Sequence, residues 1–463
     1  MKNNEKIFEK LNFAEAPHIA VKPPGPKAKD RLARQRKAES QAIWYPNHYE
    51  LAPERGLGAT VMDADGNYFI DFSAGVGVLN CGHSHPDVVE AIKKQSEKIT
   101  FALDFPGESK VKLSEKLVDI APGKMKGSCK IFHCPPTGSD AIEAAVKLSK
   151  FTTGKPGIIS FEGGYHGASG SGLWITGQKA QKMKYLPGMA ETYIVPYAYC
   201  YRCPFEMTYP SCDLQCAKYL EHVVRDPDTV ATSPGSVIME AIQGEGGIVV
   251  PPKGYLEEVR RICDEYGLIF IVDEIQTGFG RTGKMFCSEN FDITPDTIAI
   301  SKSMGGGMPL SALIIKEDFD TWTSGAHMGT FRGNLLSCAA GLAAVNFIDN
   351  QDLPVRSERL GKIVLERMNS LAESLRAIGD VRGKGLYVGV EFVKDRKTKE
   401  PAPEVLDEAV KRCFERGLIL WKAGRWNNVA RIMPALVISE ELLNRGLDIL
   451  EEVLISIDKS IKS

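Results

Sequence analysis

Two oppositely charged side chains stand where chemistry is done. Asp273 follows the apolar run Leu268–Val272, and Lys302 comes just after Asp296–Ile300, a second short run. Brief continuous apolar runs are the pattern of strands covered on both faces. In an open α/β sheet ligands bind just beyond the carboxyl ends of the strands, the rim on which both residues fall. A lysine there can hold an aldehyde cofactor as a Schiff base, while an aspartate keeps a pyridine nitrogen protonated. The plainer alternative is a core strand with a solvated acidic turn and a surface lysine.

Other stretches add to the pair. Thr137-Gly-Ser-Asp140 opens the alanine-rich amphipathic stretch Ala141–Lys150. A helix start of this kind offers free N–H groups and a positive dipole end to an anion, although any Ser/Asp helix cap looks similar. Ile158–Phe161 reads as a strand running into Glu162-Gly-Gly-Tyr-His-Gly167, and Ser236–Glu240 as another leading into Ala241-Ile-Gln-Gly-Glu-Gly-Gly247. Near the end, Val429-Ala-Arg-Ile-Met-Pro434 presents an arginine, whose planar fork suits a carboxylate.

Val272–Gly283, followed by Ser301-Lys302 and the glycines 305–307, resembles the class III (omega) aminotransferases, which bind pyridoxal 5'-phosphate. The resemblance runs from about Gly58 to Ile457 with its central motifs in order. It implies the aspartate-aminotransferase type of fold (fold type I), a large mostly parallel α/β domain plus a small α+β domain. By the same match Lys302 carries the cofactor and shuttles a proton, Asp273 faces the ring nitrogen, and Gln276 faces the ring 3-oxygen. Tyr165 stacks on the ring, and Gly138 and Ser139 cradle the phosphate. Thr330, in Met328–Asn334, reaches the phosphate of a neighbouring subunit, which implies a homodimer or a dimer of dimers. Val76 and Val78, in the glycine-rich segment Asp71–Pro86, match cavity-wall positions. Glu245 matches a glutamate that pairs with an arginine, here Arg431, and releases it when a 2-oxo acid arrives.

The departures carry information. Ala168 stands where relatives acting on 4-aminobutyrate have an arginine, which counts against that donor. Ala241 replaces a proline, and Pro135-Pro136 replaces a polar lead-in to the phosphate loop. Arg332 replaces a small residue and is expected at the cavity mouth, holding an anionic substrate group. The implied activity is amino-group transfer from an ω-amino acid, diamine or amino acid to a 2-oxo acid such as 2-oxoglutarate or pyruvate. The rival on the same scaffold is an amino-acid racemase or epimerase, with Lys302 and Glu245 as its two bases. A non-catalytic cofactor-binding protein is the rival of another class.

With 463 residues, 43% hydrophobic, and a net charge of −2, the chain suits two or three ordered domains and argues against nucleic-acid binding. The expected division is 1–75 (an arm and part of the small domain), 76–338 (large) and 339–463 (small). Residues 1–24 are expected as an arm, Lys27–Ala42 as a basic helix, and Asp65-Gly-Asn67 as a hairpin turn. No stretch approaches the length of a membrane span, and the polar start lacks the core of a signal peptide, so a cytoplasmic setting without membrane partners is expected. His83 and His85, beside glycine and proline, suit a structural role over a metal site. Cys200, Cys203, Cys212 and Cys216 have a spacing compatible with tetrahedral zinc or with free thiols, and no metal is assigned.

Overall fold

The computed structural model describes residues 2–230 and 232–462; Met1, the first residue of the polar start, lies outside them. A central seven-stranded sheet runs Cys129–Cys134, Ser311–Lys316, Thr297–Ile300, Ile269–Asp273, Pro234–Met239, Gly157–Phe161, Thr192–Val195. Ser311–Lys316 is antiparallel to both neighbours, and the other six strands run in one direction. Every residue of Ile269–Asp273 and Thr297–Ile300 is buried, as the unbroken apolar runs require. Each fully buried Ile, Val or Phe contributes ~1.5–3 kcal/mol, so the centre of the sheet is a rigid base for whatever its strand ends carry.

Two four-stranded sheets flank it. One joins Pro53–Leu57, Thr60–Asp63 and Tyr68–Asp71 to Leu418–Ile419, which lies parallel to Tyr68–Asp71, so the early chain is stitched to the late chain. The other comprises Ile378–Gly383, Val388–Phe392, Val429–Ile432 and Trp421–Ala423, with Gly389 opposite Arg431. The hairpin at Asp65–Asn67 forms as expected, with Asp63 accepting hydrogen bonds from the N–H groups of Asp65 and Asn67. The basic stretch is a helix, Pro26–Ala38.

The first 24 residues are more than an arm, because Lys2–Lys10 is helical. Phe8 is 2% exposed, the Arg356 guanidinium stands 4.0 Å over its ring, and Glu5 pairs with Arg356 and Arg359. Among the described residues no helix is long and apolar enough to cross a membrane.

Candidate active site

The parallel strands deliver their chemistry at one edge. Asp273 is the last residue of its strand and 4% exposed; one carboxylate oxygen accepts the Ile275 N–H at 3.0 Å, and the other meets His166 Nδ1 at 2.8 Å. Among the described residues His166 Nε2, which is buried, has no partner. Lys302 begins a short turn directly after Thr297–Ile300 and Ser301, with φ at +43°, a left-handed conformation that costs a non-glycine residue ~1–2 kcal/mol. Burial lowers the pKa of its amine, an effect that the Glu245 carboxylate opposes and Arg431 reinforces. A lowered pKa leaves more of the amine neutral and nucleophilic.

Thr137 and Asp140 form a capping box that opens the helix Gly138–Thr153. The box consumes the N–H of Asp140 and of Thr137 itself. The N–H groups of Gly138 and Ser139 have no protein partner among the described residues, which is the arrangement an anion needs. The prolines upstream fit: the Pro135 carbonyl accepts Ser311 Oγ at 2.6 Å, tying the loop to the sheet.

Glu240 follows the strand Pro234–Met239, and its two oxygens accept the N–H of Tyr165 at 2.9 Å and of Gly244 at 2.7 Å. It therefore holds the Tyr165 loop and the Glu245 loop against each other. Burial, opposed by His166 and reinforced by Asp273, pushes its carboxyl up to about 7. Gln276 accepts the Tyr387 hydroxyl on Oε1 at 2.5 Å and directs Nε2 to the Val76 carbonyl at 3.3 Å. Thr137, Gly138, Ser139, Tyr165, His166, Glu240, Glu245, Asp273, Gln276 and Lys302 all line one cavity of about 180 Å³.

Glu245 pairs with Arg431, which is 3% exposed on Val429–Ile432, and that pairing joins the third sheet to the cavity. Burial raises the Glu245 carboxyl, but the charges of Arg431 and Lys302 outweigh it, so the net shift is downward. Arg431 Nε is buried without a partner among the described residues, leaving its fork incomplete. Tyr45 comes from the early chain to pack edge-on against Trp421 at 5.2 Å, within electrostatic reach of Glu245 and Arg431.

Not every expected residue meets this cavity. Val76 has φ at +61°, a strained setting for a β-branched residue, and reaches Gln276 through its carbonyl; Val78, two residues on, is half-buried. Thr330 and Arg332 line a separate hollow of about 580 Å³ with Leu103, Asp104, Phe105 and Met328. The Arg332 guanidinium pairs with Asp104 and donates to the His327 carbonyl. Its charge is thus already neutralised, and the expectation of a free cation at the mouth of the Lys302 cavity does not hold within one chain. His83 pairs with Asp71 at 2.9 Å, and His85 accepts the Asp87 N–H at 3.3 Å at the start of the helix Pro86–Ser96, so both are structural. The four clustered cysteines line one hollow of about 20 Å³ as free thiols. Among the described residues no group of three or more His, Cys, Asp or Glu is arranged to hold a metal ion.

Sequence reasoning passed over His166, Glu240, Tyr387 and Tyr45. Glu240 had a signal, since like Asp273 it is an acid ending a buried run, and His166 adjoins Tyr165. Tyr387 and Tyr45 had none, because their neighbours are more than a hundred residues away in sequence.

The pattern of the aminotransferase class-III family matches residues 41–454. The chain is 38% identical to the alanine/serine racemase of Pyrococcus horikoshii, covering 95% of this chain and 93% of that protein. It is 37% identical to the diaminobutyrate–2-oxoglutarate aminotransferase of Rhizobium meliloti, covering 88% and 89%. The solved structure of taurine:2-oxoglutarate aminotransferase from Bifidobacterium kashiwanohense, in complex with PLP and glutamate, matches with a TM-score of 0.84 at 27% identity, covering 93% of this chain and 98% of that one. The mostly parallel sheet, together with these matches, makes the fold that of a type I pyridoxal-phosphate enzyme. This chain belongs to the class-III aminotransferase family. The cavity fits that cofactor: partnerless N–H groups stand at the helix start, and an acid–histidine pair with one orphaned nitrogen lines the same cavity.

Proposed function

We propose that the protein moves an amino group from an amino acid, ω-amino acid or diamine to a 2-oxo acid such as 2-oxoglutarate or pyruvate. The observation that carries this reading is Arg431, buried beside Lys302, with one N–H unpartnered and a counter-ion, Glu245, whose removal would free the fork for a carboxylate. Pyridoxal phosphate, when bound, supplies an electron sink that lets the substrate Cα–H bond ionise. Lys302 carries that proton between the substrate Cα and the cofactor C4' atom. Asp273 keeps the ring nitrogen protonated and is itself oriented by His166. Gly138 and Ser139 offer their N–H groups to the phosphate, Tyr165 covers one ring face, and Gln276 donates to the ring 3-oxygen. Val76 and Val78 belong to the substrate wall.

Racemisation needs a second base beside Lys302. Glu245 suits that poorly, because a carboxylate clamped by an arginine and shifted downward is a weak proton acceptor. Single amino acids added to the yellow holoenzyme without any 2-oxo acid decide between the two. Transfer bleaches the band stoichiometrically and 2-oxoglutarate or pyruvate restores it; an unchanged band with the opposite enantiomer accumulating identifies a racemase. Arg431→Lys keeps a charge for Glu245 and removes the fork. It should lower kcat/KM for the 2-oxo acid about 30-fold, from ~2 kcal/mol of charged hydrogen bonding, while an amine lacking a carboxylate changes less than threefold. Equal losses for both substrates would refute the carboxylate role.

The reading includes a homodimer with Thr330 reaching the partner's phosphate site. Supporting it, Phe105 and Met328 are 69% and 73% exposed, with Leu103, Phe331 and Thr330 beside them, an apolar patch that a lone soluble chain rarely leaves open. Phe331→Asp should therefore sediment as a monomer and retain cofactor poorly. A dimeric, fully loaded variant would remove the patch from the interface. A reducing, cytoplasmic setting suits the 11 free thiols.

A further inference from the structure

Tyr387 is buried on the turn between Ile378–Gly383 and Val388–Phe392, one residue ahead of the strand that pairs with the strand of Arg431. Its hydroxyl donates to Gln276 Oε1 at 2.5 Å across 111 residues of sequence. At the opposite end of that amide, Nε2 faces the Val76 carbonyl at 3.3 Å and the Glu245 carboxylate. Both of those groups only accept hydrogen bonds. Turning the amide over would set Oε1 against two acceptors, so the arrangement has a single polarity consistent with its surroundings.

Gly244 leaves room for the pair. A Cβ there would stand 2.1 Å from Gln276 Oε1 and 2.3 Å from the Tyr387 hydroxyl, so any other residue would force the two apart. Burial, reinforced by the Glu240 carboxyl, raises the pKa of the phenol, which favours the protonated form that can donate.

We propose that Tyr387 is a positioning residue, whose hydroxyl anchors the oxygen end of the Gln276 amide so that its NH2 end is held towards the ring 3-oxygen of the bound cofactor. The inference rests on the reading of Lys302 and Gln276 given above. Without the hydroxyl, the amide loses the anchor at its oxygen end and can swing its NH2 end away from the 3-oxygen. The hydrogen bond that favours the unprotonated form of the bound cofactor is then lost.

The test is a pH titration of the visible band of the holoenzyme. Tyr387→Phe, which keeps the ring and its packing, should move the midpoint upward by about half to one pH unit, the shift expected when one ordinary hydrogen bond to the titrating group is removed. In a Gln276→Ala background the same change should move it by less than 0.2 unit, since the tyrosine acts only through the amide. Gly244→Ala, which pushes the pair apart from the other side, should give an upward shift and serves if Tyr387→Phe does not fold. An unmoved midpoint, or an equal shift in both backgrounds, overturns the proposal. A wild-type protein with no visible band overturns the reading of the cofactor site along with it, whereas a normal wild-type band with no shift in the variant overturns the role of Tyr387 alone.

Discussion

Lys302→Ala yields a colourless protein whose turnover falls about 10⁴-fold. The amine is the one side-chain nitrogen at the end of Thr297–Ile300 that lines the cavity with Asp273, Glu245 and Tyr165. General acid–base catalysis by a positioned group contributes ~10²–10⁴-fold, and loss of the attachment point adds to that. Stability should change little in either direction. Alanine adopts the +43° backbone conformation no worse than lysine does, and the substitution removes a buried amine that desolvation already disfavours in its charged form. The yellow band is the signal to watch, alongside turnover, because a cofactor attached there would be a chromophore. A variant that keeps the yellow band, or that turns over within tenfold of wild type, would move the attachment to another residue.

Asp273→Asn separates charge from shape. The amide can still accept the Ile275 N–H and still meet His166, so the loop after Ile269–Asp273 keeps its form. What disappears is the negative charge proposed to face the ring nitrogen. Removing one preorganised electrostatic partner of a transition state costs ~10²–10³-fold, and a buried site with 4% exposure puts this case at the upper end, about 10³-fold in kcat. The loss should fall on kcat with cofactor affinity and melting temperature little changed. A fall confined to KM, with kcat intact, would make Asp273 a binding residue with no part in holding the ring proton.

How much of this was legible depends on how local each feature is. The runs Leu268–Val272, Asp296–Ile300 and Ser236–Glu240 correspond to the strands Ile269–Asp273, Thr297–Ile300 and Pro234–Met239, each shifted by a residue or two. The late chain folds into the helices Leu335–Asn350, Leu353–Ser374, Pro403–Glu415 and Glu440–Lys462. Burial on both faces writes itself as unbroken apolar runs, and amphipathic helices as a repeating stripe, so neither needs knowledge of partners. The helix Lys2–Lys10 escaped because its buried anchor is the single ring of Phe8, held by Arg356 and Glu5. A lone aromatic among charges has no period to detect.

The site divides along the same line. By itself the sequence determined which residues end the central strands, and therefore that an acid, a lysine and a capped helix start share one rim. Only the tertiary structure decided which groups complete them. Arg332 is neutralised by Asp104, 228 residues away, and Tyr387 orients Gln276 over a separation of 111. Arg431 reaches Glu245 across 186, because the third sheet is folded back against the cavity. A strand end announces itself within ten residues, since backbone geometry and burial act locally. A hydrogen-bond partner brought in by packing obeys no spacing rule, and leaves no trace in the chain until the sheets are assembled.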